Sequence, residues 1–157
     1  MATTTLELSL YHLPDGSLYA DARMSSDTSA APVMLAASVL VALDIDTLHG
    51  LENSTDGYGR LLSAQLFADQ RLREAWLKAR AYTATGALQL RLRFADSAAD
   101  LHALHWELLR DPETDAPIAL HERVRLIRDL DSADLTPIYV PSRPAVKRRY
   151  VLYPHDT

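Results

Sequence analysis

The sequence predicts an α/β fold, in the form of an α+β fragment with mixed strands, and three observations support this class. Segments in which apolar and polar residues alternate, the pattern of half-buried strands, occur at 6–10, 18–24 and 88–94. Between them, residues 58–84 place apolar side chains at helical spacing. The 157 residues, 48% of them hydrophobic, are enough for one domain with its own core.

The first predicted element is a β-hairpin. Leu6, Leu8 and Leu10 alternate with polar residues, and the same alternation resumes over 18–24. The intervening Pro14-Asp15-Gly16 is a turn sequence, because proline presets φ and glycine accepts a positive φ. Two alternating segments around such a turn predict antiparallel strands.

A helix is the next predicted element, over residues 34–48. The β-branched residues Val39, Val41 and Ile45 leave a strand at its beginning as the alternative. The polar segment 53–57 then provides a cap for the helical region 58–84, and Asp69 is positioned to cap a second helix within that region. Gly86 ends the helical pattern.

The remaining predicted elements are short. A strand at 88–94 is followed by a short helical stretch at 97–110, which ends at Asp111-Pro112 because proline disfavours continuation. Strands are predicted at 118–120 and 124–130. After three spaced prolines, the apolar run 150–153 predicts a strand buried on both faces of a parallel sheet, with its neighbouring strands supplied from outside this chain.

The composition excludes several classes of site. The chain has no cysteine, which excludes disulfides, thiolate zinc sites and a cysteine nucleophile within it. A net charge of −5 argues against nucleic acid or an anionic membrane as a partner. The glycines form neither of the common nucleotide-binding motifs, so no cofactor is expected. Together with the absence of a long apolar segment, these features predict a cytoplasmic protein.

The histidines offer two candidate groups. His102 and His105 share one face of the predicted helix near Glu107, but they lack a third ligand for a metal ion, and we interpret them as structural. His155 and Asp156 follow a predicted strand end, where α/β proteins often place functional groups. A catalytic role for this pair would need a nucleophile, and no serine or threonine forms an evident triad with it.

The segment 101–112 is the most informative part of the sequence. It is amphipathic, and it places the indole of Trp106 beside the carboxylate of Glu107. Leu104, Leu108 and Leu109 supply its apolar positions. One interpretation needs no catalysis: Trp106 fills the core, and Glu107 accepts hydrogen bonds from nearby backbone or from an arginine.

This segment resembles the Leu-Pro-Trp-Glu-Leu-Leu signature, followed by Asp-Pro, of CHAT domains, which are caspase-like domains often found with TPR repeats. His105 stands where that family usually has proline. The hairpin, the helix that begins at Gly59-Arg60, the 88–94 strand and the strand around 124–128 also follow the family's order. The resemblance covers nearly the whole chain, although only the segment 101–112, called the Trp-Glu segment below, is specific.

The resemblance implies where the chain divides into two parts and whether it contains catalytic residues. Residues 1–145 would form the N-terminal subdomain of a CHAT-like domain, and 146–157 the first strand of the caspase-like core, truncated after it. In the CHAT proteases a histidine and a cysteine on later strands form the catalytic dyad. His155 lies too early to correspond to that histidine, so the resemblance places no catalytic residue in this chain.

The function implied is that of a non-catalytic part of a bacterial CHAT-type cysteine endopeptidase, a hydrolase of defence or programmed cell death. This part would brace the protease core and couple it to sensor or partner regions. Its partners would be the remainder of the core, from the same gene or a second chain, and a protein substrate or sensor domain.

Two alternatives are a stand-alone protein-interaction module without catalysis and an unrelated α/β enzyme that uses His155 and Asp156. The strand at 150–153 also predicts a small homo-oligomer, because an unpaired strand edge is a template for pairing.

Overall fold

Residues 2–27 and 31–131 are described by a computed structural model, with backbone only at 130 and 131, and they fold into a mixed β-sheet with helices. This is the α/β class that the sequence predicts. The strands are β1 (Thr3–His12), β2 (Leu18–Ser26), β3 (Val33–Val41), β4 (Ala87–Ala95) and β5 (Val124–Asp131). The α-helices of these residues are α1 (Ile45–Gly50), α2 (Thr55–Leu66) and α3 (Gln70–Arg80).

The sheet has the strand order β3-β2-β1-β4-β5. β2 is antiparallel to both β1 and β3, whereas β4 is parallel to β1 and β5 is parallel to β4. The connection from β3 to β4 contains the three helices, and the connection from β4 to β5 contains 3₁₀ helices. The N-terminal strand β1 is therefore the central strand, paired on both sides.

The predicted hairpin is confirmed. β1 and β2 pair in a regular antiparallel register that places Leu6 opposite Met24 and Leu10 opposite Ala20. Gly16 in the connecting turn has a φ of 90°, a conformation that glycine adopts without steric cost. Turn chemistry and alternation together were sufficient to predict this unit.

The predicted helix over 34–48 is wrong. β3 occupies Val33–Val41, and only Ile45–Gly50 is helical. The alternative of a strand at the beginning of the segment is the arrangement observed. Pairing with β2 outweighs the helical spacing of the apolar residues, because β-branched side chains pack well on a sheet and weakly favour helix.

A bulge interrupts the pairing of β3 with β2. Ser38 has a φ of 54°, which is uncommon for a residue with a side chain. The carboxylate of Asp21 holds this conformation by accepting the Ser38 N–H at 2.7 Å, and the Tyr11 hydroxyl donates to the same oxygen at 3.3 Å. Since β3 is an edge strand of the described sheet, the bulge also makes its outer edge irregular.

The helices begin at polar caps, as the sequence predicts for α2 and α3. The Ser54 hydroxyl accepts the Gly57 N–H at 3.3 Å, and the Asp69 carboxylate accepts the Arg71 N–H at 2.8 Å. Each cap satisfies one of the amide groups that have no partner within the first turn of a helix. Apolar residues of α2 and α3 then pack into the same core as the sheet.

Two further predictions differ from the structure. The stretch 97–110 contains no α-helix: the 3₁₀ segments Asp96–Ala103 and Trp106–Leu108 are separated by an extended Leu104. The predicted strand at 118–120 is also a 3₁₀ turn, Ile118–Leu120. Pro117, which precedes this turn, has no amide hydrogen for a ladder, and it forms only an isolated bridge with Arg110.

One face of the sheet is buried and the other is half-exposed. The buried face presents leucines of β1 and β4, which form one core with side chains of α2 and α3. The opposite face carries a row of charges, in which Glu7 lies 4.0 Å from Arg23 and 3.5 Å from Arg93. Oppositely charged neighbours across strands stabilise such a face modestly.

Several predictions fall outside the described residues. These are the proline-spaced segment, the strand at 150–153 with the homo-oligomer expected from it, the boundary at 145/146, and the pair His155 and Asp156. Within the described ranges, none of the helices has the length and apolar character needed to cross a membrane.

α2 approaches a neighbouring segment closely at Gly59. A Cβ atom at this position would lie 2.2 Å from the carbonyl oxygen of Leu108. A distance this short excludes any side chain unless the backbone moves. α2 therefore packs directly on the backbone of the 3₁₀ turn that contains Trp106.

We expect Gly59→Ala to lower the free energy of unfolding by about 1–3 kcal/mol, the range for overpacking a well-packed site. Gly50→Ala is the control, because a Cβ at Gly50 has no atom within 4 Å. Its expected effect is a gain of about 0.4–1 kcal/mol through the unfolded state. Urea denaturation of both variants measures the difference, and equal effects would contradict the close packing at Gly59.

Candidate functional site

The Trp-Glu segment lies between α2 and the last described strand, β5. Trp106 is fully buried, and its ring centroid lies 5.4 Å from that of Phe94 on β4. Its indole N–H donates to the carbonyl of Leu101 at 2.8 Å. A buried Trp with a satisfied N–H is a core residue, so the interpretation of Trp106 that needs no catalysis agrees with the geometry.

Glu107 and Arg128 connect this segment to β5. The buried Arg128 donates through Nη1 to the carbonyls of His102 and Leu104, at 3.0 and 3.3 Å. Its Nη2 lies 3.8 Å from Oε1 of Glu107. Arg128 thus places one cation against two carbonyl dipoles and a carboxylate, which ties the segment to the edge of the described sheet.

Arg128 was not predicted as part of this group, although the sequence contains a signal for it. In β5 the alternation of Val124 and Leu126 assigns position 128 to the core face. An arginine on a core face needs buried acceptors. The identity of those acceptors depends on the fold of a segment more than twenty positions earlier in the chain.

Two side chains of α2 satisfy amide groups of the same segment. The Tyr58 hydroxyl accepts the His105 N–H at 3.0 Å, and Ser63 Oγ accepts the Arg110 N–H at 2.6 Å. Burial raises the pKa of Tyr58 above its ordinary value. The phenol is therefore neutral in the physiological range and keeps its position as a hydrogen-bonding partner of the backbone.

Asp111 organises the loop that follows the motif. Its Oδ1 accepts the N–H groups of Glu113 and Thr114 at 2.7 and 3.2 Å, and its Oδ2 accepts a hydrogen bond from Arg80 at 2.7 Å. Burial tends to raise the pKa of Asp111, but the hydrogen bonds from the Glu113 and Thr114 amides and from Arg80 outweigh it, so the pKa lies below its usual value. The carboxylate is held in its charged form.

The apolar residues of the predicted motif complete the core on this side. Leu104 and Leu109 are buried, and Leu108 is half-buried against them. Their positions, together with the hydrogen bonds of Trp106, show a segment that is held in place by packing. The Trp106 indole N–H donates to a backbone carbonyl, and the Glu107 carboxylate lies near Arg128 of β5 and the imidazole of His105.

The two predicted histidines have different surroundings and do not share one helix face. His102 meets Phe94 edge-on, with ring centroids 4.5 Å apart. His105 lies between Glu52 and Glu107, at 3.6 and 3.5 Å. In residues 2–27 and 31–131 no group of three metal-ligating side chains is present. The imidazole of His105 has a carboxylate on each side and links the loop after α1 to the Trp-Glu segment.

Comparison with known proteins yields no match to a family model, to a curated protein or to a solved structure. The CHAT resemblance thus depends on the motif residues of this chain and on the order of the elements around them, and it stays a prediction.

We expect Trp106→Ala to lower the free energy of unfolding by about 3–5 kcal/mol, because it removes a large buried aromatic side chain. Tyr82→Ala is the control, since Tyr82 is an exposed aromatic residue and its truncation should change the value by about 0.5 kcal/mol or less. Denaturant titrations compare the two. A loss near the control value for Trp106→Ala would show that the indole serves a partner and not the core.

We also expect Asp111 to contribute to acid sensitivity. Because its pKa is lowered in the folded state, its contribution to stability is complete above the ordinary value of 3.8 and is lost as the pH falls through the lowered value. Asp111→Asn should cost about 1–3 kcal/mol at pH 7, through the loss of a charged partner of Arg80. Its stability should then fall less steeply as the pH is lowered below about 4 than that of the wild type. Parallel acid profiles for the two proteins would contradict this role.

Proposed function

We propose that this chain is the non-catalytic N-terminal part of a CHAT-type, caspase-like cysteine endopeptidase, in which it braces the protease core. The observation that supports the proposal is the attachment of the Trp-Glu segment to β5 through Arg128. The side chains of Trp106 and Arg128 donate their hydrogen bonds to backbone carbonyls of the same chain. A bracing role requires such a rigid element beside the sheet, and it requires no reacting group.

The position of β5 indicates where a protease core would join. β5 is parallel to β4, and in the described part of the chain it is paired on that side alone. Parallel strands are commonly continued by further strands and covered on both faces. One face of this sheet is half-exposed, so additional strands and helices from the core would complete both the edge and the face.

A stand-alone protein-interaction module is the second candidate, and a different surface favours it. Met34 and Leu40 of β3 are 45% and 57% exposed, and they lie opposite Arg23 and Tyr19 of β2, on the half-exposed face of the sheet. Apolar side chains on an edge strand form a surface that a protein partner can cover. This surface lies at the opposite edge of the sheet from β5.

We expect the isolated chain to cleave no peptide in a mixed peptide library analysed by mass spectrometry, because its sequence contains no cysteine nucleophile. The coding sequence that follows Thr157 should continue with α/β elements that include a histidine and a later cysteine. Reproducible cleavage that disappears in His155→Ala would overturn the proposal in favour of the unrelated enzyme. A stop codon immediately after Thr157 would favour the interaction module.

The bracing role itself is tested by Arg128→Met in the same chain. Loss of the guanidinium leaves the carbonyls of His102 and Leu104 without their donor, so amide exchange in β5 should become about tenfold faster or more. Arg125→Met is the matched control, because Arg125 lies on the same strand and is exposed. If the two variants exchange equally, the motif does not hold β5, and the structural basis of the proposal is lost.

A further inference from the structure

A cleft of about 430 Å³ lies between the second half of α2, the beginning of α3 and the loop that follows Asp111. Its volume is in the range of about 300–1,000 Å³ that is typical of small-molecule sites. Apolar atoms come from Ala64, Phe67 and Pro112, and charged groups line the cleft beside them. Such a combination suits a small ligand with one charged end and a short apolar chain.

The carboxylates of the cleft already have cationic partners. Oδ2 of Asp111 lies 2.7 Å from a guanidinium nitrogen of Arg80. The two oxygens of Asp115 lie 2.9 Å from Arg60 and 3.0 Å from Arg110. Hydrogen bonds from these arginines contribute to lowering the pKa values of both carboxylates. Each acid is therefore charged and neutralised by its neighbours.

Arg73, which also lines the cleft, is different from these three arginines. Hydrogen bonds from Arg71, and to a smaller extent the charge of Arg73, lower the pKa of Asp69, but the ion pair of Asp69 is with Arg71, at 3.2 Å. Across the described ranges 2–27 and 31–131, the Nε of Arg73 is buried and has no hydrogen-bond acceptor. A buried donor without an acceptor is unfavourable, and an oxygen placed in the cleft would satisfy it.

The geometry points to a binding site for a small organic monocarboxylate in this cleft. One carboxylate oxygen accepts the Nε–H of Arg73, and the apolar chain of the ligand lies against Phe67 and Ala64. Ser63 provides a second donor, since its Oγ accepts the Arg110 N–H and its hydroxyl hydrogen can be directed to the ligand. This inference is independent of the bracing role.

The charge balance favours a monoanion over phosphate. A single carboxylate matches the one cation of the cleft that has no ion-pair partner among the described residues. A dianionic phosphate would bring its second charge close to Asp111 and Asp115. A carboxylate also matches the planar donor arrangement of a guanidinium, in which Nε–H and one Nη–H point in the same direction.

The test is a titration of the full chain, followed by NMR of the backbone amides and the arginine Nε–H groups. The probes are butyrate, the uncharged butyramide and inorganic phosphate. We expect butyrate to shift the Arg73 Nε–H resonance and the amides of Ser63, Phe67 and Asp111, and butyramide to shift none of them. Absence of butyrate shifts, equal shifts with butyramide, or tighter binding of phosphate would each overturn the assignment.

A pair of variants separates a specific contact from general charge attraction. Arg73→Gln should weaken butyrate binding about tenfold or more, the effect of losing a charge-assisted hydrogen bond. Arg23→Gln makes the same change in net charge on the half-exposed face of the sheet, where Arg23 pairs with Glu7, and it should leave binding unchanged. Equal weakening in both variants would overturn the site.

A final probe distinguishes the source of the carboxylate. The peptide Ala-Ala-Glu-Ala-Ala, acetylated and amidated at its ends, presents the same group on a polypeptide. Weaker binding of the peptide than of butyrate supports a small-molecule ligand. Tighter binding of the peptide overturns that assignment and identifies the cleft as a docking site for acidic side chains.

Discussion

The structure depends on how the connection between β4 and β5 satisfies its backbone hydrogen-bonding groups. Residues 96–123 form 3₁₀ helices and turns, so amides and carbonyls of this connection need partners from elsewhere. Tyr58 and Ser63 of α2 accept two of the amide hydrogens, and Arg128 of β5 donates to two carbonyls. The conformation of the connection therefore depends on hydrogen bonds that other elements supply.

The same constraint explains the arrangement around the Trp-Glu segment. The segment can approach α2 this closely because position 59 has no side chain, and it is anchored in the core by the indole of Trp106. Asp111 then turns the chain with two hydrogen bonds to its own loop and one from Arg80. These contacts give the residues of the motif a structural role. They are the interactions through which the segment would brace the protease core in the function that we propose.

The surfaces of the molecule divide into regions with different chemistry. Under the function that we propose, the β5 edge and the half-exposed charged face would meet further strands of a protease core, whereas the apolar side chains of β3 lie at the other edge. The cleft at Arg73 is bounded by helices and the 111–115 loop, on the side of the sheet that the helices cover. A small carboxylate there would bind to the helical layer, separate from both edges of the sheet.

The sequence by itself determined the elements whose signals are local. The hairpin follows from alternation and the Pro-Asp-Gly turn, the beginnings of α2 and α3 follow from their polar caps, and β4 follows from alternation alone. The sequence also marked Trp106 as a core residue and Asp111-Pro112 as the end of the stretch before it.

Tertiary structure decided the remainder. Residues 33–41 form a strand because β2 offers an edge for pairing. Residues 96–110 form 3₁₀ segments instead of an α-helix, because distant side chains supply hydrogen-bond partners for their backbone amides and carbonyls. Such partners, Arg128 above all, act across long separations in the chain, which no local pattern encodes.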